Sequence, residues 1–366
     1  MNETHLLIAG AGHATLPLIA SARARKLRGI RTTVINNHPY LYYSGMIPQY
    51  LGGVYTEEEV RIDLESLCKQ NGADFIQGSI LEIDTDKTAV TTETGHEYAA
   101  NIVVLNTGVV TKSTNDNAKE IPVKPLHKLV VLRTLLRGNP KRNVLIKGGG
   151  PAGVEIALNL SHFPELKITI TEMSDRLLPA FPTTASDWAE RKLRTRNVEI
   201  FTGTATQTID FAYADLIINA TGNYPSTARM NHPFETDKKG RILAEPTLQV
   251  KNHPSFFVTG DVACVSPGGY DQIGVHAVKQ GKLLNKNIDA VIKGKALSDY
   301  KPYPVNPLIL SDGNESAMLV TSCFALSGKM YLRLKYVADV RWIKRYRQLP
   351  QDSKGSLSVI WDSLKI

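Results

Sequence analysis

The chain has 366 residues, 42% of them hydrophobic and 21% charged, with a formal net charge of +8 and a pI near 9.2. That composition is globular rather than disordered, and the length exceeds what one hydrophobic core usually supports, so two domains and an appendage are expected. The basic excess suits anionic partners: dinucleotides, acidic lipid surfaces or nucleic acid.

Met1 leads straight into a strand pattern, with neither a basic segment followed by an apolar stretch nor a cleavage site, so no signal peptide is expected. No apolar run approaches the roughly 20 residues needed to span a bilayer, which leaves a soluble or peripheral protein. Cys68, Cys264 and Cys323 lie far apart without a CxxC or metal-type cluster. They read as reduced thiols of a cytoplasmic protein with no metal site.

Taken in chain order, Leu6–Ala9 is the first buried strand, followed by Gly10-Ala11-Gly12-His13-Ala14-Thr15, a helix to about Leu27, and a strand over Thr32–Asn36. Glycines at such a turn let a pyrophosphate approach a helix N-terminus, where free N–H groups favour anions. Thr15 replaces the third glycine, which weakens the case for close helix–strand packing at this turn. Asn36 stands where an acid would hold a ribose. Ile102–Leu105 is a further apolar strand, leaving the sheet through Asn106-Thr107-Gly108.

The second turn is complete. Asn143–Lys147 reads as a strand, Gly148-Gly149-Gly150-Pro151-Ala152-Gly153 is a full G-x-G-x-x-G, and Val154–Leu160 continues as an apolar helix. The strand Ile168–Thr171 ends at Glu172, close to the spacing of a ribose-binding acid. A carboxylate there accepts the ribose hydroxyls and repels a 2′-phosphate; nearby Arg176 would soften that preference. Leu216–Asn219 then exits through Ala220-Thr221-Gly222, and Phe256–Val258 ends in Thr259-Gly260-Asp261, where the carboxylate can meet a polyol.

Lys329–Gln348 places Leu332, Tyr336, Val340, Ile343 and Tyr346 on one helical stripe, with Arg333, Arg341, Lys344 and Arg345 on other faces and Asp339 as the one acid. Such a helix either lies on anionic lipid or docks on its own domain with a solvated basic face. No nucleic-acid fold accompanies the patch. Leu357–Trp361 is a short strand candidate for self-association, leaving a homodimer open.

The order of these segments resembles the two-dinucleotide flavoproteins of the pyridine nucleotide-disulfide oxidoreductase superfamily. Tyr40–Pro48 carries no CxxxxC and is similar to type II NADH:quinone oxidoreductases and to the flavoprotein unit fused to selenide, water dikinase; Gly274–Gln280 is similar to that fused unit. The resemblance implies an α/β fold of two nested Rossmann-like domains: an FAD domain over 1–112 and 242–300, an inserted NADH domain over 113–241, and an appendage over 301–366. FAD would meet Gly10, Gly12, His13, Ala14, Asn36, Ser44, Gly45, Thr107, Gly108, Gly260, Asp261 and Gln280. NADH would meet Gly150, Gly153, Glu172, Thr221 and Gly222. Glu155, on the first turn of the second helix, and His276 are the catalytic candidates, and Cys264 is read as an inert thiol.

The function implied is an FAD-dependent oxidoreductase that takes hydride from NADH and reduces an acceptor, expected to be a quinone, at the cytoplasmic face of the membrane. Two alternatives stay open. One is a reductase of a sulfur- or selenium-containing or protein acceptor; the other is a nicotinamide-binding redox sensor with little turnover.

Overall fold

A computed structural model of the chain describes residues 4–112, 119–138, 141–203, 212–268 and 274–347. Gln348 and the strand candidate Leu357–Trp361 lie outside the described residues.

The apolar runs become strands covered on both faces, which is why they are continuous rather than alternating. Thr4–Ala9 lies between Ile30–Asn36 and Ile102–Leu105, with Asp74–Gln77 and His253–Val258 outside them, all parallel. Three short strands, Gln249–Val250, Ile242–Ala244 and Ala263–Val265, extend this sheet to eight. A second parallel sheet runs Glu120–Pro122, Leu216–Asn219, Arg142–Lys147, Leu166–Glu172, Glu199–Thr202. The chain passes between the sheets twice, and the two crossings pair antiparallel, Val109–Thr111 against Asn223–Pro225. That pairing fixes the two strand-end clefts relative to each other.

Leu308–Asp312, Ser316–Val320 and Ala325–Gly328 form an antiparallel sheet, on which the helix Lys329–Ile343 packs. The expected stripe is corrected here. Leu332, Tyr336, Val340 and Ile343 are buried inward, so they are not a lipid-facing surface. The outward face instead carries Met330, Leu334 and Val337, of which Leu334 is 51% exposed, beside exposed Phe324 and Leu326 of the sheet. Arg333, Arg341, Lys344 and Arg345 are exposed as expected.

The appendage is stapled to the second sheet's helices by charge. Asp312, fully buried, is met by Lys192 Nζ at 2.9 Å and by Arg196, whose other nitrogen is 2.9 Å from Glu315. Burial alone would raise the Asp312 carboxyl, but hydrogen bonds from His162, Arg196 and Lys192 outweigh it and hold its pKa at about 2. A depressed carboxylate contributes stability in full above the ordinary aspartate range, near ~4. The contribution is lost as pH falls from there through about 2. Asp312→Asn should therefore cost about 3 kcal/mol at neutral pH and flatten the acid limb of the stability curve, read by urea unfolding from pH 7 down to 2; an unchanged midpoint would remove the staple.

Candidate functional site

The two glycine turns share a signature and differ in wiring. Gly10 has φ +96°, and a Cβ there would sit 2.4 Å from the Asn106 carbonyl oxygen, so the turn tolerates no side chain. At Gly153 a Cβ would lie 1.9 Å from the Gly148 oxygen; the glycine lets the helix Pro151–Leu160 start three residues after Gly148. Thr15 occupies the matching place in the first turn, and there the helix, Leu16–Ala20, starts six residues after Gly10. The Thr15 hydroxyl donates to the Gly10 and Gly12 carbonyl oxygens, at 3.3 and 3.1 Å. The threonine thus closes the turn rather than loosening it, at the expense of a helical turn.

Asn36 is also engaged internally. Its Oδ1 accepts from the Ala11 N–H at 2.9 Å and its Nδ2 donates to the His38 carbonyl oxygen at 2.7 Å. It holds the turn as Glu172 holds the second one, and it still lines the cleft with one N–H and one lone pair to spare.

Around the first turn is an open cleft. Gly12, His13, Asn36, Ser44, Thr107, Gly108, Gly260 and Asp261 line it, joined by Asn106 and Lys124. Its shape fits a dinucleotide: the backbone is stripped to glycine where a pyrophosphate passes, and Asp261 stands at the strand edge beyond. Burial raises the Asp261 carboxyl and Lys124 opposes the rise. His13, His38, Tyr40, Tyr42 and His127 add rings to its lining, and outside that lining Trp342 stacks on His13 at 4.9 Å and on Tyr43 at 4.2 Å. Burial and Lys124 lower the His13 pKa to about 3, so its ring is neutral near pH 7 and is no proton donor.

Several expected residues act behind the cleft. Gln280, fully buried, accepts the Gly260 N–H at 2.7 Å and positions that turn. The helix carrying it, Gly274–Ile292, crosses the first turn at Gly281, where a Cβ would lie 2.6 Å from the Ala14 oxygen. Ala14 is buried beneath that crossing. His276, a catalytic candidate, is buried against Tyr300, whose hydroxyl is 2.5 Å from Nδ1, and is not among the residues that line the cleft. Cys264 sits by Arg241, away from the cleft, and burial raises its thiol.

At the second turn, Glu172 accepts from the Gly149 N–H at 2.7 Å and the Ser174 N–H at 2.9 Å. Thr221 donates its hydroxyl to Asn219 Oδ1 at 2.7 Å, while Gly150 and Gly222 face open space. Arg176 donates to the carbonyl oxygens of Leu178, Pro179 and Phe181.

Between the turns lies a buried charge cluster. Glu155 Oε1 accepts from both the N–H and the hydroxyl of Ser311, at 2.9 and 2.8 Å. Lys335 Nζ is 3.7 Å from Glu155, 3.1 Å from Asp339 Oδ2, and donates to the Gly45 carbonyl oxygen at 2.6 Å. Burial raises the Glu155 pKa, countered by Lys335 and Ser311. Burial pulls Lys335 down, but Glu155 and Asp339 outweigh it and its pKa is raised. Sequence reasoning gave Lys335 and Asp339 no such role; the available signal was their i, i+4 spacing on the inner side of the apolar stripe.

The description "Pyridine nucleotide-disulphide oxidoreductase" matches residues 4–281. The chain is 23% identical to the Type II NADH:quinone oxidoreductase of Staphylococcus aureus (strain NCTC 8325 / PS 47), over 92% of its own length and 94% of the relative's. Among solved structures it is similar to NDH2 from Plasmodium falciparum in complex with NADH, with a TM-score of 0.81 at 13% identity, covering 100% of this chain and 98% of that one. It is similar too to the sulfide:quinone oxidoreductase of Aquifex aeolicus, with a TM-score of 0.75 at 16% identity over 97% and 95% of the two chains. At these identities the structural likeness is one of fold.

Removing the central cation should leave two buried carboxyls uncompensated. Lys335→Met is expected to destabilise the protein by about 3–5 kcal/mol, with partial recovery in the double variant carrying Glu155→Gln. Denaturant melts showing no loss in the single variant would mean the cluster is not buried in solution.

Proposed function

The chain belongs to the pyridine nucleotide-disulphide oxidoreductase family through residues 4–281, and from that premise we propose that it is an FAD-dependent enzyme that takes hydride from NADH and passes the electrons to a quinone. The observation that carries this reading is the cluster where Lys335 meets Gly45 of the flavin-side segment and Glu155 of the second nucleotide helix. It ties the ring ends of both clefts to one point.

FAD and NADH, when bound, supply the hydride chemistry. The chain's part is to align them, keep water out and hold a proton where it is needed. The Gly10–Ala14 turn, Thr107, Gly108 and Asp261 would hold FAD; Gly150, Gly153 and Glu172 would hold NADH, the acid disfavouring a 2′-phosphate. Tyr40 and Tyr42, which line the cleft, would help to shield the flavin from solvent. A quinone that accepts two electrons also takes up protons, and Lys335 Nζ is a proton-bearing group held at the junction, with Glu155 beside it. A sulfur- or selenium-containing acceptor finds less support, because no cysteine lines the cleft among the described residues.

The acceptor's solubility in lipid motivates a membrane-bound state. No described helix is long and apolar enough to cross a membrane. The exposed face Met330, Leu334 and Val337, bordered by Phe324, Leu326 and the cations Lys329, Arg333 and Arg341, suits the surface of an anionic bilayer.

Purified protein should show flavin absorbance that bleaches anaerobically with NADH, several-fold faster than with NADPH, and that returns on adding a short-chain quinone. A colourless protein that FAD cannot reconstitute would sink the reading, and a reduced flavin that quinone leaves reduced would sink the acceptor. Met330→Glu with Leu334→Glu should weaken sedimentation with anionic vesicles about tenfold while NADH still bleaches the flavin; equal sedimentation would take this face out of membrane docking.

A further inference from the structure

The first glycine turn brings a dinucleotide no full charge of its own, since Asn36 is neutral and the helix behind the turn is short. Asn36 has both side-chain atoms tied to the backbone of Ala11 and His38. The helix behind the turn is broken at Ser21 into the pieces Leu16–Ala20 and Ala22–Lys26, five residues each. The N–H groups of Gly10, Ala11 and Thr15 already donate to Ile35, Asn36 and Gly12. A pyrophosphate with two negative charges therefore needs a compensating charge from elsewhere.

Among the described residues lining the cleft, Lys124 is the sole lysine or arginine. It comes from the segment that leads from the first sheet into the second. Its backbone is held by Thr111, whose N–H donates to the Lys124 carbonyl oxygen at 3.1 Å and whose Oγ1 accepts the Lys124 N–H at 2.9 Å. No ion pair or side-chain hydrogen bond takes up its ammonium among the described residues. It lines the cleft together with His13 of the glycine turn and Asp261 of the far strand end, and its charge acts on both.

We propose that Lys124 is the cation that neutralises the pyrophosphate of the dinucleotide in the first cleft, a specificity-determining residue for FAD supplied by the inter-sheet segment. The assignment rests on the reading that this cleft holds FAD. A lysine acts on phosphate as a point charge, so arginine can replace it and a neutral amide cannot. The contact is lost with the phosphates, and it is screened by salt.

The test is flavin binding to the full-length apoprotein, followed by quenching of flavin fluorescence, for wild type, K124Q and K124R, with FAD and with riboflavin, which lacks phosphate. K124Q should raise the FAD dissociation constant about ten- to a hundredfold and flatten its dependence on salt, while K124R stays within about threefold of wild type. Riboflavin binding should be the same for all three. Equal FAD affinity and salt dependence in K124Q and wild type would overturn the assignment, as would equal weakening of FAD and riboflavin, which would put Lys124 at the ring or in the fold. A wild-type chain that binds riboflavin but not FAD overturns it too. A wild-type chain that binds neither flavin removes the FAD reading itself, and the assignment with it.

Discussion

Burying an ammonium group costs several kcal/mol unless charge and hydrogen bonds surround it, and the burial of Lys335 constrains the rest of the molecule. Its compensation comes from three places far apart in sequence: the Gly45 carbonyl, Glu155 and Asp339. None of these suffices alone. The appendage must dock for Lys335 to be buried, the second nucleotide helix must sit at its observed angle to present Glu155, and the segment after the first sheet's second strand must turn its carbonyl inward. The Asp312 staple to Lys192 and Arg196 holds the same appendage from its other end. Two charged clusters thus fix the appendage to the second nucleotide helix, to the segment carrying Gly45 and to the region of Lys192 and Arg196.

The parts of this arrangement that were legible in the sequence are those with local periodicity. The strand–glycine–helix runs at Gly10 and Gly148 announced two parallel sheets because their apolar residues and glycines follow each other within one βαβ unit. The helix at Lys329 was visible through its spacing for the same reason. Its orientation was not: Leu332 and Leu334 are equally apolar, and the choice of which face goes inward depends on the sheet of residues 308–328 that it meets. Long-range pairings stayed hidden. Lys335 and Gly45 are 290 positions apart, and no spacing rule links them. His276 misled because a histidine beside a cofactor-like helix has the right chemistry, while its direction depends on Tyr300, which periodicity does not reveal.

Substituted motif positions carried a subtler message. Thr15 and Asn36 look like erosion of the first signature, yet both are satisfied, one by the Gly10 and Gly12 carbonyls and the other by Ala11 and His38. The turn has been rewired rather than weakened. Its polar side chains now serve the backbone, and recognition of a ligand passes to residues outside the motif.

That rewiring separates the two clefts by role. The first is lined by His13, Tyr40 and Tyr42 and by the inter-sheet segment at Lys124, and the helix that crosses at Gly281 packs beneath its turn. The second cleft keeps an uninterrupted helix start at Pro151, glycines facing open space at Gly150 and Gly222, and an acid at its rim. A ligand there can leave without the appendage moving. The appendage thus bears on the first turn, where Trp342 stacks on His13, and leaves Gly150 and Gly222 of the second facing open space.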